Sequence, residues 1–322
     1  MNVFITGGAG FLGSHLAERL LAAGDRVCIL DDLSTGQMSN LDFVKAHPRF
    51  SYRIGSVLDK PLVSELVDGA DYVVHFAAAV GVKLIVEHPV HTIETNVHGA
   101  DTVLGCAAKK QKPVLIASTS EVYGKGLTIP FSEDDDLTFG ATRHSRWAYA
   151  CSKALDEWLA LAYHREKGVP ATVTRFFNTV GPRQTGRYGM VLPSFAAAAV
   201  RNAPIQVYGT GEQTRCFSHV NDVVECVIKL IKSDGIAGEV YNVGANEEIS
   251  INNLAEMVRT AANSSSDIVH IPYEEAYVAG FEDMQRRVPN CAKLMKKIGM
   301  VPTTSLAQTV RDVVNEQRQL LD

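Results

Sequence analysis

Tyr149 and Lys153 stand four residues apart in Tyr149-Ala150-Cys151-Ser152-Lys153, at the start of a stretch patterned as a helix over 147–167. On a helix, positions i and i+4 share a face one turn apart. An ammonium held there favours the phenolate and lowers the tyrosine pKa. The pair can then serve as a general base near neutral pH. A second group, Ser118-Thr119-Ser120-Glu121, follows the apolar run Val114 to Ala117, so hydroxyls and a carboxylate end a strand. The third is Gly7, Gly10 and Gly13, between the β-prone Val3 to Thr6 and a helix over 11–23. Such glycines allow a tight turn, close approach of a pyrophosphate and close helix–strand packing. The helix N-terminus then offers free N–H groups and a positive dipole end to an anion. Asp31 ends a second strand, Arg26 to Leu30, about 20 residues on, where an acid accepts bonds from the adenosine ribose. It also repels a 2′-phosphate, which favours NAD over NADP. Taken singly, each group has an ordinary explanation: a helical surface pair, turn hydroxyls, a flexible turn. Strand, glycine turn, helix and acid in that order point to a dinucleotide site.

The elements that must position these groups alternate. Strands are expected at 3–6, 26–30, 50–54, 72–76, 113–117 and 171–176, and helices at 11–23, 60–68, 89–109 and 147–167. Ser51-Tyr52-Arg53 makes the third strand the weakest. Short apolar strands alternating with longer helices imply an α/β fold, a Rossmann-type doubly wound parallel sheet covered on both faces. Residues 1–176 form the expected NAD-binding domain. From 177 glycine and proline become frequent, and 177–322 reads as a smaller mixed C-terminal substrate lobe, with strands near 171–176 and 240–243 returning to the main sheet.

The 322 residues allow one or two domains, and 46% hydrophobic content is ordinary for a globular protein. A formal charge of −5 argues against nucleic acid or an anionic membrane as partner. No apolar run approaches the roughly 18 residues of a membrane span, and the N-terminus lacks a basic leader. The expected location is the cytoplasm. The six scattered cysteines lack metal-ligand spacing, so no metal is expected. His75, at the end of the fourth strand, is given no catalytic role. Asn96 either bonds neighbouring backbone or is an exposed helix amide.

Together these segments closely resemble the extended short-chain dehydrogenase/reductase family, in its nucleotide-sugar epimerase, dehydratase and decarboxylase branch. The resemblance runs from residue 2 to about residue 315. Its carriers are Thr6 to Gly13, Asp31, His75 to Ala78, Asn96, Ser118 to Gly124, Tyr149 to Lys153, Arg175 to Arg183, Gly209 to Arg215, His219 to Val223 and Gln285 to Pro289. The resemblance implies that Gly7, Gly10, Phe11 and Leu12 line the pyrophosphate turn. Asp31 and Asp32 would hold the adenosine, and Phe76, Ala77, Ala78 and Asn96 would belong to the cofactor site. Tyr149 would be the base, Lys153 would orient the nicotinamide ribose, and Thr119 would bond the reacting sugar oxygen. Asn178, Arg215 and Arg287 resemble the groups that hold the substrate diphosphate, and Tyr208 the ring near its base. Where many relatives carry Asp to hold adenine, this chain has Ser56, with Asp59 three residues on. How adenine is held stays open, with the main chain at Val57 a candidate. Relatives commonly form homodimers through helices matching 89–109 and 147–167.

The shared chemistry implied is removal of the C4 hydroxyl proton by Tyr149 with hydride passing to NAD, giving a 4-keto sugar. Dehydratases of the branch typically carry Asp-Glu after the threonine; Ser120-Glu121 disfavours water loss. Ser118 to Gly124 is similar to UDP-glucuronate decarboxylases. Val80 to Val86 and Gln184 to Phe195 look more like UDP-glucose 4-epimerases. The sequence reading therefore expects a UDP-sugar 4-epimerase. A UDP-glucuronate decarboxylase or 4,6-dehydratase is the alternative, with Glu121 managing protons at C5 and Arg183 or Arg187 meeting a C6 carboxylate. A non-catalytic NAD-binding sensor has no use for the intact Thr119, Tyr149 and Lys153 set.

Overall fold

The structure is a computed structural model that describes residues 1–81, 88–144, 146–186, 190–276 and 284–321. In chain order the first half contains β1 (Asn2–Thr6), α1 (Phe11–Ala22), β2 (Arg26–Asp31), β3 (Phe50–Ile54), α2 (Lys60–Asp68), β4 (Tyr72–His75), α3 (Pro89–Ala108), β5 (Val114–Thr119), α4 (Arg146–Lys167) and β6 (Ala171–Phe176). There follow β7 (Thr179–Val180), α5 (Val191–Val200), β8 (Ile205–Tyr208), β9 (Thr214–Cys216), β10 (Ser218–His219), α6 (Val220–Ile231) and β11 (Val240–Val243). The chain closes with β12 (Glu248–Ser250), α7 (Ile251–Ala262), β13 (Ile268–Ile271), α8 (Tyr273–Ala276), α9 (Ala292–Ile298) and α10 (Leu306–Gln319).

Seven parallel strands in the order β11-β6-β5-β4-β1-β2-β3 form the main sheet. Side chains on a strand alternate between faces. Val3 and Ile5 therefore pack with Leu16 and Leu20 of α1 and Val223 and Val227 of α6. Phe4, between them, packs with Val63 of α2, Val103 of α3 and Ala160 of α4. Both faces are covered, which explains the near-continuous apolar character of the central strands. β3 is the outermost strand and its last four residues are exposed, so its polar sequence fits an edge.

β11 pairs parallel with β6, and α6 brings the chain back from β10 to cover the sheet. The remaining lobe packs α5, α7 and α10 around Leu192, Leu254 and Val310. Its strands form three two-stranded sheets: β7 with β10, β8 with β13, and β9 with β12. Ser250 and Ser305 cap α7 and α10 by accepting from the backbone N–H of Asn253 and Gln308, which satisfies donors that a helix start leaves open. The carboxyl ends of the sheet strands face this lobe across a continuous cleft of about 1150 Å³.

Candidate active site

The floor of the cleft begins at the β1–α1 turn. Gly7 has φ +70°, and a Cβ there would lie 2.7 Å from the Ala77 nitrogen. A Cβ on Gly13 would collide with the Gly7 carbonyl. α1 starts without a side-chain cap and without an acid in its first turn, so its leading amides are open to an anion. Asp31 accepts from the backbone N–H of Ala9 (2.9 Å) and Leu33 (2.8 Å), which buckles the glycine turn to the end of β2. Burial raises its pKa against those two bonds. A carboxylate has about four acceptor sites, so capacity remains for ribose hydroxyls. Asp32 accepts from the Ser34 amide and hydroxyl. Gly10, Phe11, Leu12, Val57, Phe76, Ala77 and Ala78 line the same end of the cleft. Asp59 caps α2 by accepting from the Leu62 amide, and it does not line the cleft. These residues fit a dinucleotide: glycine where side chains cannot enter, open amides for the pyrophosphate, and an acid at the ribose end.

Asn96 bonds neighbouring backbone, the first of its two expected roles. It is fully buried and does not line the cleft. Its oxygen accepts from Ala79 N–H (2.8 Å), and its amide donates to Ser152 Oγ (3.0 Å), which donates to the Tyr149 carbonyl. It fixes the loop after β4 against α4 and so acts on the site indirectly. His75 is a buried core histidine: its Nδ1 bonds Thr6 Oγ1 at 2.7 Å, its Nε2 has no hydrogen-bond partner among the described residues, and burial lowers its pKa to about 3.

The reacting end is built by β5, α4 and the segment at Arg287. Thr119 ends β5, and its Oγ1 accepts from Glu121 N–H and shares a hydrogen bond with the Tyr149 side chain. The Tyr149 pKa is raised, first by burial and then by the negative charges of Glu121 and Asp156; Arg287 and the Thr119 bond oppose this. Lys153 Nζ lies 2.7 Å from Asp156 Oδ2. Arg287 donates to Ser120 Oγ (2.9 Å) and Asn178 Oδ1 (3.1 Å), and lies 3.4 Å from Glu121 Oε1. The arginine expected at the diphosphate therefore stands beside the Glu121 carboxylate. Asn178 also donates to the Cys216 carbonyl.

Arg215 and Tyr208 line the far arm of the cleft. Gln213, not anticipated from the sequence, ties that arm together by donating to the Tyr208 carbonyl and the Tyr273 hydroxyl, both at 3.1 Å. Arg183 is directed elsewhere than expected. Its guanidinium bonds Glu18 of α1 and lies 5.1 Å over the Phe43 ring, while its backbone N–H donates to Glu316 of α10. Paired this way, it joins the lobe to α1 while also lining the cleft. Arg187, and the part of Val80 to Val86 from 82 onward, lie outside the described residues.

Dinucleotide cradle, tyrosine–lysine pair and second ligand arm define an NAD-dependent enzyme of the extended short-chain dehydrogenase/reductase class acting on nucleotide sugars. A sequence profile of the GDP-mannose 4,6 dehydratase family matches residues 4–313, and the chain belongs to that family of epimerases, dehydratases and decarboxylases. It is 43% identical, over 98% of its length and 97% of the relative's, to a UDP-N-acetyl-alpha-D-glucosaminuronate decarboxylase of Bacillus cytotoxicus. A UDP-glucose 4-epimerase of Thermotoga maritima, solved with UDP-glucose, superposes with TM-score 0.89 at 27% identity over all of both chains. A dTDP-glucose 4,6-dehydratase of Streptomyces venezuelae, solved with NAD, does so with TM-score 0.89 at 29% identity over 99% of this chain and 97% of that one.

Proposed function

We propose that the protein is a UDP-uronate decarboxylase, which converts a UDP-hexuronate to a UDP-pentose through a 4-keto intermediate. The observation that carries this is the 43% identity to a UDP-N-acetylglucosaminuronate decarboxylase along nearly the whole of both chains. The contact of buried Arg287 with half-buried Glu121, beside Tyr149, supports it. Epimerase, the reading favoured by sequence segments alone, gives way to the decarboxylase.

Residues of the glycine turn, Asp31, Ala77 and Lys153 would hold NAD. The bound NAD would supply the hydride acceptor for C4 and, in reduced form, the hydride that restores it. Tyr149 takes the C4 hydroxyl proton, with Thr119 bonded to the same sugar oxygen. A 4-keto uronate is a β-keto acid. Its C5–C6 bond breaks, carbon dioxide leaves, and the electron pair passes to the C4 oxygen. Tyr149, now protonated, and Thr119 donate to that enolate oxygen. C5 then takes a proton delivered through Glu121. Arg287, anchored by Ser120 and Asn178, faces the carboxylate before it leaves. Ser120 is thus the anchor of an arginine rather than a general acid.

The active unit we propose is a homodimer formed through α3 and α4, which expose Val90, Ile93, Leu155 and Trp158. Among the described residues no helix is long and apolar enough to cross a membrane, and a cytoplasmic location is part of the same reading.

The test is product analysis. Incubation with UDP-glucuronate and UDP-N-acetylglucosaminuronate should give the pentose nucleotide, seen by mass spectrometry as loss of carbon dioxide. Interconversion of UDP-glucose and UDP-galactose without that loss would restore the epimerase.

A further inference from the structure

On α4 the residue two turns after Tyr149 is Asp156, completing a stripe with Lys153 between them at spacings i, i+4 and i+7. Asp156 is fully buried, and Lys153 is nearly so. One carboxylate oxygen takes the Lys153 ammonium at 2.7 Å. The other is buried without a hydrogen-bond partner among the described residues. Burying a carboxylate costs free energy that one ion pair only partly returns. The neighbouring Glu157 is differently employed: Arg175 grips it with two nitrogens and Ser118 donates to it. Glu157 holds β5 and β6 to the helix, whereas Asp156 has Lys153 alone.

We propose that Asp156 is a positioning residue that holds the Lys153 ammonium and offsets its charge, so that the pair sets the pH at which Tyr149 loses its proton. This rests on Tyr149 being the base. The charged groups that act on Tyr149 are Glu121 on the turn after β5, Asp156 on its own helix, and Arg287, while Lys153 shares its helix face at i+4. Those facing the pair are Glu157 on α4 and His75 on β4. His75 stays neutral at working pH, and Glu157 is neutralised by Arg175. Glu121 and Asp156 are therefore the two negative charges acting on the phenol, and Asp156 is the one paired with Lys153. The ammonium lines the cleft as well. Removing the charge of Asp156 takes away one of the two negative charges that favour the protonated phenol.

The experiment is Asp156→Asn, similar in size to Asp and uncharged. The acid limb of kcat/KM against pH should move down by about one unit, the effect of one charge removed at several ångströms through an effective dielectric near 20. Difference absorbance of tyrosinate, measured against a Tyr149→Phe background, should show the same downward shift without turnover. Asp156→Glu should return the limb towards its wild-type position. Should Asn at 156 fail to fold, Asp156→Ser, which leaves room for water beside Lys153, gives the same reading. A limb that stays put, or moves up because Lys153 has lost its proton, overturns the proposal. Substantial activity in Tyr149→Phe would instead overturn the assignment of the base, so the two failures are distinguishable.

Discussion

Glu121 lies between Arg287, which lowers its charge density, and Tyr149, whose proton it helps retain. In the proposed decarboxylation it is the group that delivers the proton to C5. Glu121→Gln should abolish carbon dioxide release while leaving nucleotide binding close to normal, as measured by gas release and by titration with UDP. Tyr149→Phe removes the phenol and should lower turnover by about 10²–10⁴-fold, since that is what a positioned acid–base group contributes. Asp31→Ala should weaken NAD and narrow its advantage over NADP in titrations of stripped protein. It should also lower the melting temperature, because Ala9 and Leu33 lose their acceptor. The reacting residues were legible because their spacing is local: a helix turn links Tyr149 to Lys153. Asp156 was equally legible by spacing, three residues beyond Lys153, yet an acid on a helix is usually a solvated one. Arg183 was not legible. Its partners Glu18, Phe43 and Glu316 are distant in sequence, and its left-handed backbone (φ +68°) aims the side chain back to α1.

At the scale of elements, α4 is held in place from behind by Asn96 of α3. The bonds from Asn96 to Ala79 and Ser152 are side-chain contacts between segments far apart in the chain. Asn96→Ala leaves the buried Ala79 amide without its acceptor, which should cost about 1–3 kcal/mol. Turnover should fall more than nucleotide affinity, because the start of α4 carries Tyr149; denaturant melts and a kcat against KM comparison check this. The alternating first half was readable from apolar period and glycine punctuation, down to the β3 whose polar residues mark an edge. The lobe was not. Its strands have two to four residues and pair across long gaps, as Ile205 does with Ile268. No local pattern specifies such pairings.

For the whole molecule, the exposed Val90, Ile93, Leu155 and Trp158 on adjacent helices are the surface where a second copy would sit. A Trp158→Arg variant should sediment as a monomer with unchanged helical content if that surface closes the dimer. The return of the chain from the lobe to the sheet has a consequence for biosynthesis. β6 keeps an open edge until Val240–Val243 has been made, and the sheet face carrying Val3 and Ile5 stays partly bare until Val220–Ile231 exists. A nascent chain emerging from the ribosome must therefore carry an unfinished sheet while the first part of the lobe is synthesised. Open edges and bare apolar faces recruit other chains. Completion of the cofactor-binding layer is thus tied to late translation, and premature termination within the lobe would release an aggregating fragment rather than a small NAD-binding protein.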